Sequence, residues 1–157
     1  MRGKGLVIGW REWVSLPDFG VTVKAKIDTG ARTSAIHAAD IVVDGERVSF
    51  TVFPHQHDDT DPVAVTATLL DVREVRSSSG EAQQRYVVTT SAMLHGRRWQ
   101  LELTLASRDE MGFRMLLGRQ AMRGGFLVDP AASYLSGRGP QAEGLPAISP
   151  RDQPDTV

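Results

Sequence analysis

Three residues carry the most legible chemistry in this chain: Asp28, Thr29 and Gly30, followed by Ala31. Two carboxylates packed together cannot both ionise, so they share one proton. One then takes a proton from a water while the other polarises a carbonyl. An Asp-Thr-Gly loop suits such a pair: the glycine lets two backbones approach where a Cβ would clash, and the threonine hydroxyl can bond across and fix the loops. The same tripeptide also suits an ordinary Asx-type turn, in which the Asp side chain bonds its own backbone two residues on. What separates the two readings is the set of elements around the loop.

Those elements read as β-strands. Val21, Val23, Ala25 and Ile27 alternate with Thr22, Lys24 and Lys26, a period of two that predicts a strand delivering Asp28 from a rigid element. The alternation returns in Val63, Val65, Ala67 and Leu69, and again in Trp99, Leu101, Leu103 and Leu105. Val48–Val52 and Tyr86–Thr90 are shorter runs, and the polar stretch Arg76–Glu81, with Gly80, predicts a hairpin tip. Phe113–Arg119 reads as an apolar strand ending in Gly-Arg. Arg119–Arg123 alone invites a helix, of one or two turns, stopped by Gly124-Gly125. Phe126–Val128 predicts a last short strand ended by Asp129-Pro130.

A chain of 157 residues suits one domain. A net charge of −1 supplies no global field for nucleic acid or an anionic membrane. No array of aromatics with basic residues points to nucleic acid either. The absence of cysteine excludes disulfides, a thiol nucleophile and a Cys-based zinc site, and fits a reducing compartment. Leu6-Val7-Ile8 is too short for a signal-peptide core, and no apolar run reaches the length of a membrane span. A cytoplasmic location with no membrane partner is the expectation. From Ser136 onward Gly and Pro recur and large apolar residues nearly vanish, so a domain over residues 1–135 and a disordered tail over 136–157 are expected.

The order of features, an Asp-Thr-Gly-Ala loop after a strand, a hairpin around Ser77–Gly80, then apolar-apolar-Gly-Arg and a short helix, resembles that of retropepsins. The segment Lys24–Ala38, KAKIDTGARTSAIHA, looks like the signature of a bacterial family long labelled "ATP-dependent zinc protease". Its members are now regarded as retropepsin-like and are often associated with ATP-grasp glutamate ligases. Trp10-Arg11-Glu12-Trp13, Val72–Ser78, Leu103-Thr104-Leu105, Arg108-Asp109, Arg114–Arg119, Phe126–Pro130 and Ser133-Tyr134-Leu135 extend the resemblance over about residues 8 to 135. It implies an all-β fold, a closed retropepsin-like (acid protease) barrel with one short C-terminal helix. It further implies hydrolysis of peptide bonds by water activated at Asp28, with Thr29 and Gly30 shaping the loop, no covalent intermediate and no cofactor. One Asp-Thr-Gly supplies half of the pair, so the resemblance also implies a homodimer with Asp28 from each copy.

One departure concerns charge. Typical retroviral members carry an acidic residue four positions after the Asp, paired with the Arg of Gly-Arg; this chain has Arg32 there, and the motif arginine is Arg119. Two nearby cations need an anion. Asp109, Glu110 or Asp129 could supply it, as could an acidic substrate. Arg73, Arg76 and Arg85 flank the hairpin with Ser77, Ser78 and Ser79 at its tip, and arginine forks suit carboxylates. Arg32, Arg76, Ser77, Ser78 and Arg119 are therefore candidate substrate contacts, against the plainer readings of a solvated hairpin face and, for Arg32 and Arg119, of structural supports. Some members of the resembling family are thought to trim glutamate tails that a ligase adds to a ribosomal protein. A glutamate-tailed ribosomal protein and an ATP-grasp glutamate ligase are thus the partners the resemblance implies.

The family's label raises zinc. The four histidines are His37, His55, His57 and His95, with no His-Glu-x-x-His motif. His55 and His57 sit in a polar loop beside Asp58-Asp59, as a surface metal site or simply a solvated loop. His37 falls within the signature, either as a hydrogen-bonded structural histidine or as a metal ligand acting with Asp28. No Walker loop offers an ATP site. Two rival readings follow: a zinc-dependent peptidase, and a non-catalytic module that binds acidic peptides or a glutamate ligase.

Overall fold

The apolar residues that alternate along the sequence face one another inside a nearly closed ring of strands. The computed structural model of the chain describes residues 5–76, 79–106 and 112–137, the side chains of 75 and 76 excepted. Within them lie β1 (Leu6–Ile8), β2 (Arg11–Leu16), β3 (Val21–Asp28), β4 (Ser34–Asp44), β5 (Arg47–Val52), β6 (Val63–Arg76), β7 (Ala82–Leu94), β8 (Arg97–Ala106), β9 (Met115–Gly118), α1 (Arg119–Met122) and β10 (Phe126–Val128). The all-β expectation holds, and α1 is a single turn.

Strands β4 to β8 form successive antiparallel neighbours, and β8 returns to pair with β4 in parallel, Ser34↔Leu103 to His37↔Ala106, which closes the ring. The β2–β3 hairpin joins through β9, which runs parallel to β3 and antiparallel to β4. Val23, Ala25, Val48, Val52, Val88, Leu103, Met115 and Leu117 are among the side chains packed inside. Burying a side chain of the Val–Leu class contributes roughly 1.5–3 kcal/mol, so this interior is the principal source of stability.

Two strands give no clean alternation in sequence. Arg11–Leu16 is buried almost throughout, so the period of two is masked by the charged residues it encloses. Glu12 is wholly buried. Its carboxylate accepts from the N–H of Gly9 (2.6 Å), Leu135 (2.9 Å) and Ser136 (3.1 Å) and from the Ser136 hydroxyl (2.8 Å). That set of donors meets the demand of a buried carboxylate. Arg11 lies over the rings of Trp10 (4.6 Å) and Tyr134 (5.1 Å) and donates from Nε to Ser133 Oγ at 3.1 Å. The chain is thus fastened through Ser136; the rest of the expected tail, 138–157, lies outside the described residues. In β4 the pattern is broken by a register shift between Ala39 and Val42, with Asp40 at a φ of 55°.

The predicted hairpin is there but longer. β6 and β7 span 14 and 13 residues, with a register shift between Leu69 and Asp71. Beyond it Leu70–Glu74 and Ala82–Gln84 are exposed on both faces, so this arm stands clear of the barrel. Ser77 and Ser78, which the sequence assigns to the hairpin tip, lie outside the described residues. No helix among the described residues is long and apolar enough to cross a membrane.

Candidate active site

Asp28 is the last residue of β3, opposite Gly118 at the end of the parallel β9. Because β9 is flanked by β3 and β4, the chain leaving Asp28 must cross the end of β9 to enter β4 at Ser34. Residues 29–33 make that crossing. The Gly30 N–H donates to Asp28 Oδ1 at 2.9 Å and the Ala31 N–H to the Asp28 carbonyl at 3.1 Å. The Asx-type turn is therefore formed, and it orients the carboxylate. The two readings of the tripeptide coexist in one loop.

The segment after β9 holds the outer side of this loop. The Arg119 N–H donates to the Ala31 carbonyl at 2.8 Å, and the Gln120 N–H to the Arg32 carbonyl at 3.1 Å. The Arg119 guanidinium donates to the Gly30 carbonyl at 3.2 Å. Three consecutive carbonyls are thereby tied to two residues. On the inner side the Gly118 N–H donates to the buried Ser34 Oγ at 3.0 Å. Gly118 has a φ of −90°, open to any residue, so space rather than torsion requires glycine. A Cβ there would lie 2.4 Å from the Thr33 carbonyl oxygen. At Gly30 a Cβ would lie 3.2 Å from Asp28 Oδ1.

Asp28 is half-buried, while Thr29, Gly30, Arg32 and Arg119 are exposed, so a supported carboxylate faces an open approach. This suits it to water-mediated acid–base chemistry. Of the two roles the sequence offers Arg119, substrate contact and structural support, its bond to the Gly30 carbonyl is of the second kind. Asp129, one candidate anion, accepts from the Ala131 N–H through Oδ1, while Asp109 and Glu110 lie outside the described residues. On the arm, Arg73 Nε pairs with Asp71 Oδ2 at 3.0 Å. Arg76 ends β6, its side chain outside the description.

The histidines do not gather around Asp28. The His37 ring lies against Phe53, centroids 5.5 Å apart, and its backbone N–H donates to the Arg114 carbonyl at 2.8 Å. His55 Nε2 meets Asp61 Oδ2 at 2.8 Å. Among the described residues no group of three or more His, Asp or Glu is placed to hold a metal ion, so these residues do not fit a catalytic zinc.

Sequence reasoning saw Ser34, Glu12 and Arg114 only as parts of motifs and gave none of them a role. The signal for Ser34 was its place in the segment after Asp-Thr-Gly. For Glu12 it was a charged pair inside an otherwise apolar run, and for Arg114 an arginine just before the apolar triplet of β9.

A family model described as the RimB-like retropepsin-like aspartic endopeptidase RimB matches residues 7–139. A probable alpha-L-glutamate ligase of Shewanella pealeana is 43% identical over 142 residues, 87% of this chain and 31% of that protein. A protein of the same name from Desulfotalea psychrophila is 45% identical over 130 residues, 80% of this chain and 28% of that protein. The chain thus spans less than a third of the length of these relatives. Among solved structures, protein Lpg0085 of Legionella pneumophila, of unknown function, is similar with a TM-score of 0.70 and 25% identity. That match covers 85% of this chain and 99% of the Legionella chain.

Proposed function

Because the chain belongs to the RimB-like family of retropepsin-like aspartic endopeptidases, we propose that it hydrolyses peptide bonds with a water activated between the Asp28 carboxylates of two copies. The observation that carries this reading is the held loop: Asp28 is oriented by the Gly30 N–H, and the loop's outer carbonyls are fixed by Arg119 and Gln120. In the pair, one carboxylate is ionised and takes a proton from the water as its oxygen attacks the scissile carbonyl carbon. The other donates its proton to the carbonyl oxygen. Collapse of the tetrahedral diol breaks the C–N bond: the amine leaves with the proton held by the first carboxyl, and the second carboxylate takes back a proton from a diol hydroxyl, which restores the pair. Each copy supplies one half of the machinery, so the active form is a homodimer. The position of Asp28 at the strand end that opens into the exposed Thr29-Gly30 turn supports such a pairing.

The proposed substrate is a protein bearing an acidic, glutamate-rich tail, with Arg32 at the mouth of the site as the cationic contact. Support comes from the relatives, in which a domain like this one occupies part of a protein named a probable alpha-L-glutamate ligase. A peptidase beside a ligase that adds glutamate would remove what the ligase adds. A ribosomal protein in the cytoplasm is the tailed substrate in this reading, and the ligase a partner. A second reading, a module that binds acidic peptides or the ligase without cutting, is favoured by one fact: the chain alone carries a single Asp-Thr-Gly.

Intact-mass analysis of a protein with a C-terminal oligoglutamate tail, incubated with the wild type and with Asp28→Asn, tests both. Trimming by the wild type alone is the expected result. A tail that survives the wild type intact yet binds it tightly overturns the peptidase in favour of the module.

A further inference from the structure

Strand β8 has β7 along one edge from Arg97 to Leu105, but β4 along the other only from Leu103 onward, where Ser34 begins. Before Ser34 the chain bends across the end of β9 to Asp28, and so leaves the line beside β8. α1 does not fill that line. It stops after one turn at Met122, and Arg123 is already extended. The chain then passes through Gly124, at a φ of 80°, to β10. From Trp99 to Glu102 no strand among the described residues pairs with this second edge of β8.

A groove of about 380 Å³ lies there, between β8 and α1. Thr33 and Ser34 form its head, and Gln120, Ala121 and Arg123 the wall opposite β8. Trp99, Gln100, Leu101 and Glu102 all line it. Side chains alternate along a strand, and Leu101 is in the core while Gln100 and Glu102 are exposed. Four consecutive residues line one groove together where the backbone edge itself faces it. Such an edge carries unpaired N–H and C=O groups and is a template for another strand. The charges around it are unequal. Arg123 stands on the α1 wall, Arg32 precedes the head and Arg98 precedes Trp99, all exposed. Against them stands one carboxylate, Glu102, among the described lining residues.

We propose that this groove takes an extended acidic peptide as an added strand on β8. The peptide's backbone pairs with the free edge, and its carboxylates meet the guanidinium forks of Arg32 and Arg123. Four residues of edge span roughly 13 Å, and alternate residues point their N–H and C=O outward. The strand so added is a segment of the tailed substrate beside the cleaved bond, a step that rests on the peptidase reading. Asp28 and Thr33 flank Gly118, Asp28 as its register partner and Thr33 with its backbone packed against it. Two inter-strand spacings of about 4.8 Å put the head of the groove roughly 10 Å from Asp28. The surface between is the loop 29–33, in which Thr29, Gly30, Arg32 and Thr33 are exposed. About three or four residues of peptide cross it.

The test needs no cleavage, so its failure and the failure of the peptidase reading are distinct. ¹H–¹⁵N spectra of the Asp28→Asn protein are titrated with three capped peptides: hexaglutamate, hexaglutamine, and hexaglutamate N-methylated at every residue. The expected result is saturable shifts of the Trp99–Glu102 backbone amides with hexaglutamate. Hexaglutamine binds about threefold or more weakly, since it lacks the charge. The methylated peptide lacks the N–H donors of an added strand and binds about tenfold or more weakly. Arg123 is exposed, so Arg123→Ala keeps the fold, and it weakens hexaglutamate about threefold. No saturable shift, shifts confined to residues 29–32, equal binding of either control peptide, or unchanged affinity in Arg123→Ala overturns the proposal. Shifts of Trp99–Glu102 on concentrating the protein without peptide mark the groove as a contact between two copies, and overturn it as well.

Discussion

The guanidinium of Arg119 reaches back across 89 residues of sequence to the carbonyl of Gly30, two positions past Asp28. Arg119 thus acts on the carboxylate through the loop, as a positioning residue. Arg119→Ala removes an exposed contact, so the stability cost is below about 1 kcal/mol. The loop loses one of its ties, and kcat for a cleavable tail falls by about tenfold with little change in KM. Separate measurement of kcat and KM decides, since a substrate contact at Arg119 would raise KM instead.

Gly118 faces the Thr33 backbone at a distance no Cβ tolerates. Gly118→Ala must push the Asp28 loop and β9 apart, and a cost of about 3 kcal/mol or more follows, with loss of activity. Ser34→Ala leaves the buried Gly118 N–H without its acceptor and costs about 1–3 kcal/mol. Urea unfolding of both variants checks the order.

The parts of this architecture that were legible in sequence share a physical cause. β5 and β8 each pack one face inward, so their residues alternate. β3 alternates in residue type and delivers Asp28 where expected, yet it is buried on both faces from Val21 to Ala25, Thr22 and Lys24 included. β2 escaped because Arg11 and Glu12 are buried among its apolar residues, each satisfied by partners more than a hundred positions away. The role of Arg119 was half legible: the Gly-Arg pair stood out, but its acceptor is a backbone carbonyl, which no side-chain pattern records. The loop 53–62 read as solvated because its brace, Arg114, is contributed by a distant strand end.

Glu12 is acceptor to four donors at once. Glu12→Ala strands three buried or half-buried backbone N–H groups and destabilises the fold by about 3 kcal/mol or more. Glu12→Gln keeps one acceptor oxygen and costs less. Limited proteolysis followed by mass spectrometry is expected to show earlier cleavage near Leu135 in Glu12→Ala, while the barrel fragment persists.

Arg32 is exposed at the mouth of the site. Arg32→Ala is expected to raise KM for acidic peptides by about three- to tenfold and to leave neutral peptides unchanged. The difference shrinks in high salt, since an exposed cation is screened. Parallel assays of an acidic peptide and its amide counterpart test it; equal effects on both would remove Arg32 from recognition.

The strand that opens the fold pairs with the strand that closes it: β1 lies against β10, and Leu135 and Ser136 seal onto Glu12 from 123 and 124 positions away. During synthesis β1 emerges more than a hundred residues before β10 and waits for it unpaired. The Asp28 loop waits as well, because Gly118 and Arg119 are also late to appear. Loop-closure entropy must be met before any of these contacts returns stability, which sets a slow, all-or-none final step. The Asp28 loop therefore takes shape only as the two ends of this domain find each other.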